Sequence, residues 1–308
     1  MQIITDAALC STKGKSAVAI GKFDGVHLGH RVLLRELVRH EDEHLISVVF
    51  TFSPSPESFF SGQPEMQLTT REEKRRIFEG LGVDVLIEYP FDQTTADMPP
   101  EDFVRRILCE RLHASLVVAG EDLSFGRGGK GGFALLDAMA GECGYRTVKI
   151  RKVREGGEII SSSRIRKYVT EGQMEEAASC LGSPYQVIGK VMHGNAIGRT
   201  IGIPTLNLLP EKDKLLPPYG VYYSHVHING KTYFGMTNIG RKPTIEEKIK
   251  RVTVETYVYD FHENVYGADC IVDLLTFRRP EKKFENLEAL REQMDQDVSD
   301  GRLYHGIR

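Results

Sequence analysis

The sequence predicts a doubly wound parallel α/β domain, followed by a small antiparallel β-barrel with a C-terminal helix. Two patterns carry that expectation. In the first half, short apolar runs alternate with helical patterns. In the second half the period changes to the two-residue alternation of strands joined by turns. The length agrees, because 308 residues favour two cores over one.

The elements follow in order. AVAI (17–20), LISVVFTF (45–52), VDVLIEY (83–89), SLVVAG (115–120) and YRTVKI (145–150) read as buried strands. TTREEKRRIFEGLG carries Thr70 and Glu73 at capping-box spacing and runs out at Gly80 and Gly82. PPEDFVRRILCERL opens on prolines, which suit a first helical turn, and puts Phe103, Ile107 and Leu108 on one face. Strand–helix alternation of this kind builds a parallel, doubly wound sheet. The helical QMEEAASCL ends at Gly182 and Pro184, which sets a domain boundary near 183, giving 1–183 and 184–308. Beyond it, YQVIGKVMHG, GVYYSHVHING, KTYFGMTNIG, KRVTVETYVYDF and DCIVDLLTF are β-rich. Asn229-Gly230 marks a hairpin, since both residues tolerate positive φ. NLEALREQMDQD places Leu287, Leu290 and Met294 in register for one helix against a barrel.

Composition excludes several classes. A net charge of -3 argues against a general nucleic-acid binder. No apolar run approaches the ~20 residues of a membrane span. The start MQIITDAALC lacks the basic and apolar regions of a signal peptide. Five scattered cysteines without a CxxC pair point to reduced thiols and a cytoplasmic setting. The GKS of TKGKSAVAI lacks Walker-A spacing and precedes its strand. His225 and His227 share a strand face but bring no third metal ligand. GRGGKGG (126–132) fits a linker and, through Arg127 and Lys130, a phosphate-facing flap equally well.

Parallel sheets bind ligands beyond the carboxyl ends of their strands, and GKFDGVHLGH sits there, after the first predicted strand. Gly21 and Gly25 let the backbone approach a ligand. His27 and His30, three apart, fall on one face at a helix start, which is a site for phosphates. A second element, IISSSRIRKYVTEG, offers Ser162 and Ser163 as helix caps. It also puts Arg164, Arg166 and Lys167 in the first turns, where the dipole disfavours cations. An anionic partner would explain that placement.

GKFDGVHLGH resembles the HxGH signature of the nucleotidyltransferases, and ISSSRIR resembles the element completing the ATP site in their flavin branch. AGEDLSFGRGGKG is similar to that branch's flavin loop. HGNAIGRTIGIPTLNL resembles the riboflavin kinase signature, with YGVYYS, TNIGRKPT, VETYVYDFHENVYG and FRRPEKKF following in order. The family so resembled is the prokaryotic bifunctional riboflavin kinase/FAD synthetase. The implied fold is an HxGH-type nucleotidyltransferase domain followed by a riboflavin-kinase-like barrel.

The resemblance implies AMP transfer from ATP to FMN, releasing pyrophosphate and FAD, with Mg²⁺ beside the phosphates. His27 and His30 would steady the α-phosphoryl group, and Ser162, Ser163 and Arg166 would take the β and γ phosphates. Gly21, Phe23, Asp24 and Gly29 would shape the nucleotide site. Asp122, Phe125, Gly126 and Arg127 would seat FMN. In the barrel, Gly194, Gly198, Arg199 and Pro204 would bind ligand, Thr205 and Asn207 would hold the metal, and Glu255 would be the general base on riboflavin. On strand period alone, Glu255 shares a face with Thr253 and Tyr257, opposite Val252, Val254, Thr256 and Val258.

The sequence departs from the family at Ser53 and Ser55, where an acid and a histidine are usual, at Leu123 in the flavin loop, and at Asn195, Ile197 and Leu206 in the kinase signature. Leu206 leaves open an FAD synthetase with a weak or silent kinase module. A flavin-binding RNA regulator using SSRIRK and RRPEKK is a further alternative, and another HxGH transferase explains only the first domain. The expected partners are ATP, FMN and riboflavin, with no membrane, for a monomer or weak homo-oligomer.

Overall fold

The first-half apolar runs form one sheet. β1 (Gln2–Ile4), β2 (Ser16–Ile20), β3 (Ile46–Ser53), β4 (Val85–Pro90), β5 (Ala114–Gly120) and β6 (Arg146–Ile150) pair in the order β1-β4-β3-β2-β5-β6. Every pairing is parallel. The computed structural model describes residues 1–40, 43–193, 204–243 and 250–307. The chain divides into two compact units, Met1–Ser162 and Ser163–Arg308.

Alternation along β2 shows the double winding. Val18 and Ile20 join one core with Val48, Phe50, Phe103 and Ile107. Ala17 and Ala19 join the other, with Leu33, Leu34 and Leu37 of α1 (Leu28–Val38) and Phe78 of α3 (Arg71–Gly80). Burying each large side chain contributes roughly 1.5–3 kcal/mol. The expected capping box is present: Glu73 N–H donates to Thr70 Oγ1 (3.3 Å), and Thr70 N–H donates to Glu73 Oε2 (2.9 Å). The short helices α2 (Pro56–Ser61), α4 (Gln93–Ala96) and α5 (Pro100–Asp102) connect strands, and α6 (Phe133–Cys143) precedes β6. After α5 the chain continues as a π-helix, Phe103–Arg111, where the sequence reads as α-helix. The inward face is as expected, with Phe103, Ile107 and Leu108 buried. β7 (Arg154–Glu155) and β8 (Glu158–Ile159) form a small hairpin.

The second unit begins within α7 (Ser162–Glu171), followed by α8 (Met174–Leu181), which ends at the left-handed Gly182. β9 (Tyr185–Met192), β10 (Thr205–Leu208), β11 (Gly220–Ile228), β12 (Lys231–Pro243), β13 (Lys250–Val258) and β14 (Asp269–Pro280) close a barrel in the order β10-β13-β12-β11-β14-β9. Asn229 and Gly230 turn β11 into β12 at φ 50° and 74°, as their chemistry requires. Inside the barrel Thr237 Oγ1 lies 2.8 Å from both Ser224 Oγ and Thr256 Oγ1, so these buried hydroxyls satisfy one another. α8 packs on β9 and β14.

The last helix, α9 (Leu287–His305), is capped by Asn286, whose Oδ1 accepts from Ala289 N–H. It extends well past the apolar register that predicts it. Asp297, only 3% exposed, is held by the Arg279 guanidinium of β14 and by Gln293. Gly301 lies where a Cβ would meet the Tyr259 hydroxyl.

Candidate active sites

In the first unit the loop from β2 to α1 makes the site. Phe23, Gly25 and Val26 all have positive φ (52°, 83° and 40°). That is costly for a β-branched residue and is held by tertiary bonds. Gly25 N–H donates to Thr69 Oγ1 (3.0 Å), and the buried Asp24 carboxylate accepts from Leu68 N–H (2.9 Å).

His27 stands at the N-cap of α1 rather than inside it, and His30 N–H donates to its Nδ1 (3.4 Å). The neutral ring therefore carries its hydrogen on Nε2, a ready donor. The His27 and His30 rings stack at 3.7 Å and 15°. Phe23 meets His30 edge-on at 5.3 Å and is braced by Phe78 at 5.7 Å.

Burial lowers the His27 pKa to about 4, against the opposing pull of Asp24 and Asp122. Burial lowers His30 too, helped by His27 and Lys74. Both rings are thus neutral at pH 7. His30 Nδ1 is shielded from solvent and has no hydrogen-bond partner among the described residues.

His30 opens onto a cleft of about 560 Å³ at the carboxyl ends of β2, β3 and β5. Phe52, Phe60, Phe91, Phe103 and Phe125 contribute its apolar wall, and Lys22, Asp122 and Ser124 its polar rim. Gly126 sits at φ 70° with the Pro100 Cβ only 2.6 Å from where its own Cβ would be. The glycine run here is a folded loop rather than a linker. Phe125 bridges Gly131, and Arg127 N–H donates to Met98 O (2.8 Å), leaving the Arg127 side chain exposed. Asp122 pairs with Lys152 at 3.2 Å. Ser162, the last residue of the first unit, donates its hydroxyl to Asp24 O (2.8 Å). Ser163 follows, and Arg166 comes one turn on.

In the second unit, register assembles the other candidates. Asn207 of β10 lies directly opposite Glu255 of β13. Asn207 Nδ2 donates to Thr205 O (3.2 Å), and Thr253 Oγ1 donates to Glu255 Oε1 (3.4 Å). The expected period holds: Val254, Thr256 and Val258 are buried, while Thr253, Glu255 and Tyr257 are half-buried on the other face. Leu206 pairs with Thr256, so it shares the face opposite to that of Asn207. Pro204, Thr205 and Leu206 line a cavity of about 350 Å³ with Phe261, His262 and Tyr266.

Family models assign the halves separately. The FAD synthetase family matches residues 10–164, and the riboflavin kinase family matches residues 181–305. A Listeria monocytogenes protein named bifunctional riboflavin kinase/FMN adenylyltransferase is 36% identical over 93% of this chain and 91% of its own. The chain belongs to the bifunctional riboflavin kinase/FMN adenylyltransferase family. Proteins of the same name from Bacillus subtilis (35% identical, 95% of this chain and 93% of that one) and Escherichia coli K12 (33%, 94% and 93%) agree. A solved structure from Streptococcus pneumoniae, titled a macrolide-efflux protein, superposes with a TM-score of 0.84 at 29% identity, covering 97% of this chain and 98% of that one. Among the described residues, no helix is long and apolar enough to cross a membrane.

Within the family framework, Gly21, Phe23, Asp24, His27, Gly29 and His30 form one loop–helix unit. Asp122, Phe125 and Gly126 gather at or beneath the same cleft. Gly194, Gly198 and Arg199 lie outside the described residues, as do Asn195 and Ile197. Sequence reading missed Lys74 on α3. Burial lowers its pKa, Asp24 and Glu88 oppose that shift, and its charge acts on His30. The only available signal was its place one residue after the capping glutamate. The pair His225 and His227 is explained without a metal: His227 sits between Asp273 (2.7 Å) and Thr232 (2.9 Å), and His225 packs on Phe234.

Proposed function

We propose that the chain phosphorylates riboflavin to FMN in its barrel unit and adenylylates FMN to FAD in its first unit. One observation carries the FAD half: two stacked, neutral imidazoles at a helix N-terminus, opening onto an aromatic-walled cleft at the sheet's carboxyl edge. The nucleophile is the terminal phosphate oxygen of FMN, already anionic at pH 7. It attacks the α-phosphorus of ATP, the bond to the β-phosphate bridging oxygen breaks, and pyrophosphate leaves. No strong base is needed, so the protein's task is placement and charge stabilisation. His27 Nε2–H and His30 supply neutral donors to the α-phosphoryl oxygens. The family motif assigns Ser162, Ser163 and Arg166 to the β and γ phosphates, and Asp122, Phe125, Gly126 and Arg127 to FMN.

In the barrel, Glu255 takes the proton of the terminal ribityl hydroxyl, that oxygen attacks the γ-phosphorus of ATP, the bond from that phosphorus to the bridging oxygen breaks, and ADP leaves with FMN as product. Gly194, Gly198, Arg199 and Pro204 belong to the nucleotide loop by motif. The donor set at Thr205 and Asn207 suits Mg²⁺, a hard cation that takes oxygen ligands. Asn207 turns its Nδ2 toward Thr205 O, which leaves Oδ1 as the free acceptor. When bound, the cation neutralises phosphate charge. Leu206 gives no support to a silent kinase, because its side chain alternates away from Asn207.

We divide the activities at residue 183, since one family match ends at 164 and the other begins at 181. Five free cysteines support a cytoplasmic protein, acting on small molecules as a monomer or weak homo-oligomer. The deciding experiment supplies purified protein with riboflavin and Mg-ATP, or FMN and Mg-ATP, and separates FMN, FAD and pyrophosphate. FMN from the first mixture and FAD from the second are expected. Failure of either overturns the corresponding half.

A further inference from the structure

We propose that Lys22 binds the phosphate of FMN in the first unit, with Glu57 and Glu65 as its resting counterions. This rests on the reading of that cleft as the adenylylation site. Among the described residues lining the cleft, Lys22 is the one lysine or arginine, whereas Glu57 and Asp122 line it as carboxylates. The reaction brings two anions together there, and a phosphate monoester alone carries about −1.5 to −2 at pH 7. The nearby His30 ring is neutral, since burial holds it well below its ordinary pKa. The cleft therefore needs a cation, and its lining offers Lys22.

Placement and contacts fit this role. Lys22 follows Gly21 beyond the carboxyl end of β2 and precedes Phe23, whose ring meets His30 edge-on. Lys22 and His30 line the same cleft, so a phosphate held by the ammonium lies in the space onto which the imidazole opens. At rest, Lys22 Nζ is 2.6 Å from a Glu65 carboxylate oxygen and 3.5 Å from one of Glu57 in α2. The Lys22 and Glu57 side chains are 37% and 62% exposed, and ion pairs this open to water contribute little to stability. An ammonium on a flexible four-carbon stem can leave such partners for a more highly charged one. Its hydrogen bonds to a phosphate are charge-assisted and strong. The ATP phosphates already have a site at the start of α1 and along the Ser162–Arg166 segment. The phosphate left for Lys22 is that of FMN, whose ring suits the aromatic wall of this cleft.

The test uses the full chain and follows FAD formation from FMN and Mg-ATP. Lys22→Met keeps the apolar stem and removes the charge. It is expected to raise KM for FMN about 10-fold, with KM for Mg-ATP changed less than about 2-fold and kcat less than about 3-fold. Lys22→Arg keeps the charge and should hold KM for FMN within about 3-fold of the parent. Glu57→Gln supplies the decisive comparison. It removes a carboxylate that competes for the ammonium, so KM for FMN is expected to fall about 2–3-fold. A clasp that only fastened α2 to the histidine loop would weaken FMN binding whichever end was removed. Riboflavin kinase turnover and the melting temperature of the same preparations stay at the parent level, which shows intact folding. An unchanged KM for FMN in Lys22→Met, equal losses in Lys22→Met and Lys22→Arg, or a raised KM for FMN in Glu57→Gln overturns this inference alone. A rise in KM for Mg-ATP in place of that for FMN overturns it too and assigns Lys22 to the nucleotide. No FAD from the parent protein overturns the adenylylation reading, and the inference falls with it.

Discussion

A β-carbon added to Gly29 would lie 3.1 Å from Cε1 of the His27 ring. The glycine between the two histidines is therefore a matter of space: the His27 ring folds back over that position to stack on His30. A methyl group there pushes the ring by a few tenths of an ångström. Gly29→Ala is expected to lower FMN adenylylation about 10–100-fold. Kinase turnover and the melting temperature should hold, because alanine is the better helix former. Measuring FAD formation and thermal unfolding on one sample checks both.

Removing a donor altogether costs more. His27→Ala is expected to cut FAD formation by ~10²-fold or more, as loss of one transition-state donor does. Pyrophosphate release from FMN and Mg-ATP is the measurement, and an unchanged rate would remove His27 from the reaction.

The same ring makes stability depend on pH. Its folded pKa of about 4 lies below the ordinary 6.5, so the unfolded chain takes up the proton more readily than the folded one. The contribution is complete above pH 6.5 and declines as pH falls toward 4. The full shift corresponds to a loss on the order of 3 kcal/mol. Urea unfolding at pH 7 and pH 4 should show a smaller drop in the midpoint for His27→Gln than for the parent.

Gly126 tests the flavin cleft. Alanine there meets Pro100 and must adopt a left-handed conformation costing about 1–2 kcal/mol. Paid from the shape of the loop, that becomes about 10-fold weaker FMN binding. Flavin fluorescence titration of Gly126→Ala reads it.

Leu206 supplies the converse. Because it alternates away from Asn207, Leu206→Ala is expected to leave riboflavin kinase kcat within about 3-fold of the parent, the change being a modest packing loss. A large gain in FMN formation would show that the branched side chain obstructs the phosphate site.

Much of this architecture is legible in the residues. Five parallel strands announce themselves as apolar runs, and the Thr70–Glu73 box and the Asn229-Gly230 turn are local chemistry that needs no tertiary information. β1 is too short, at three residues, to show a period. β10 is hidden because its Thr-Leu-Asn-Leu reads first as a binding motif. The far end of α9 looks polar until Arg279 is seen closing on Asp297. At the site, His27 and His30 were visible from spacing, but their stacking and neutrality were not. Those depend on burial and on Phe78 of α3 bracing Phe23 from elsewhere in the chain. Lys74 was invisible for the same reason, since it carries no pattern of its own.

The way the two sheets end has a consequence for assembly. A closed barrel has no margin at which another chain's backbone could add. The parallel sheet has two margins, and both are poor templates. β1 is three residues long, and β6 carries exposed Arg146 and Lys149. Arg146 is tied to Glu43, and Lys149 lies over the Phe133 ring. Strand addition is thus disfavoured at the barrel and at both margins of the parallel sheet. At those two sheets a second copy would attach through side chains, which single surface substitutions can abolish without disturbing either sheet.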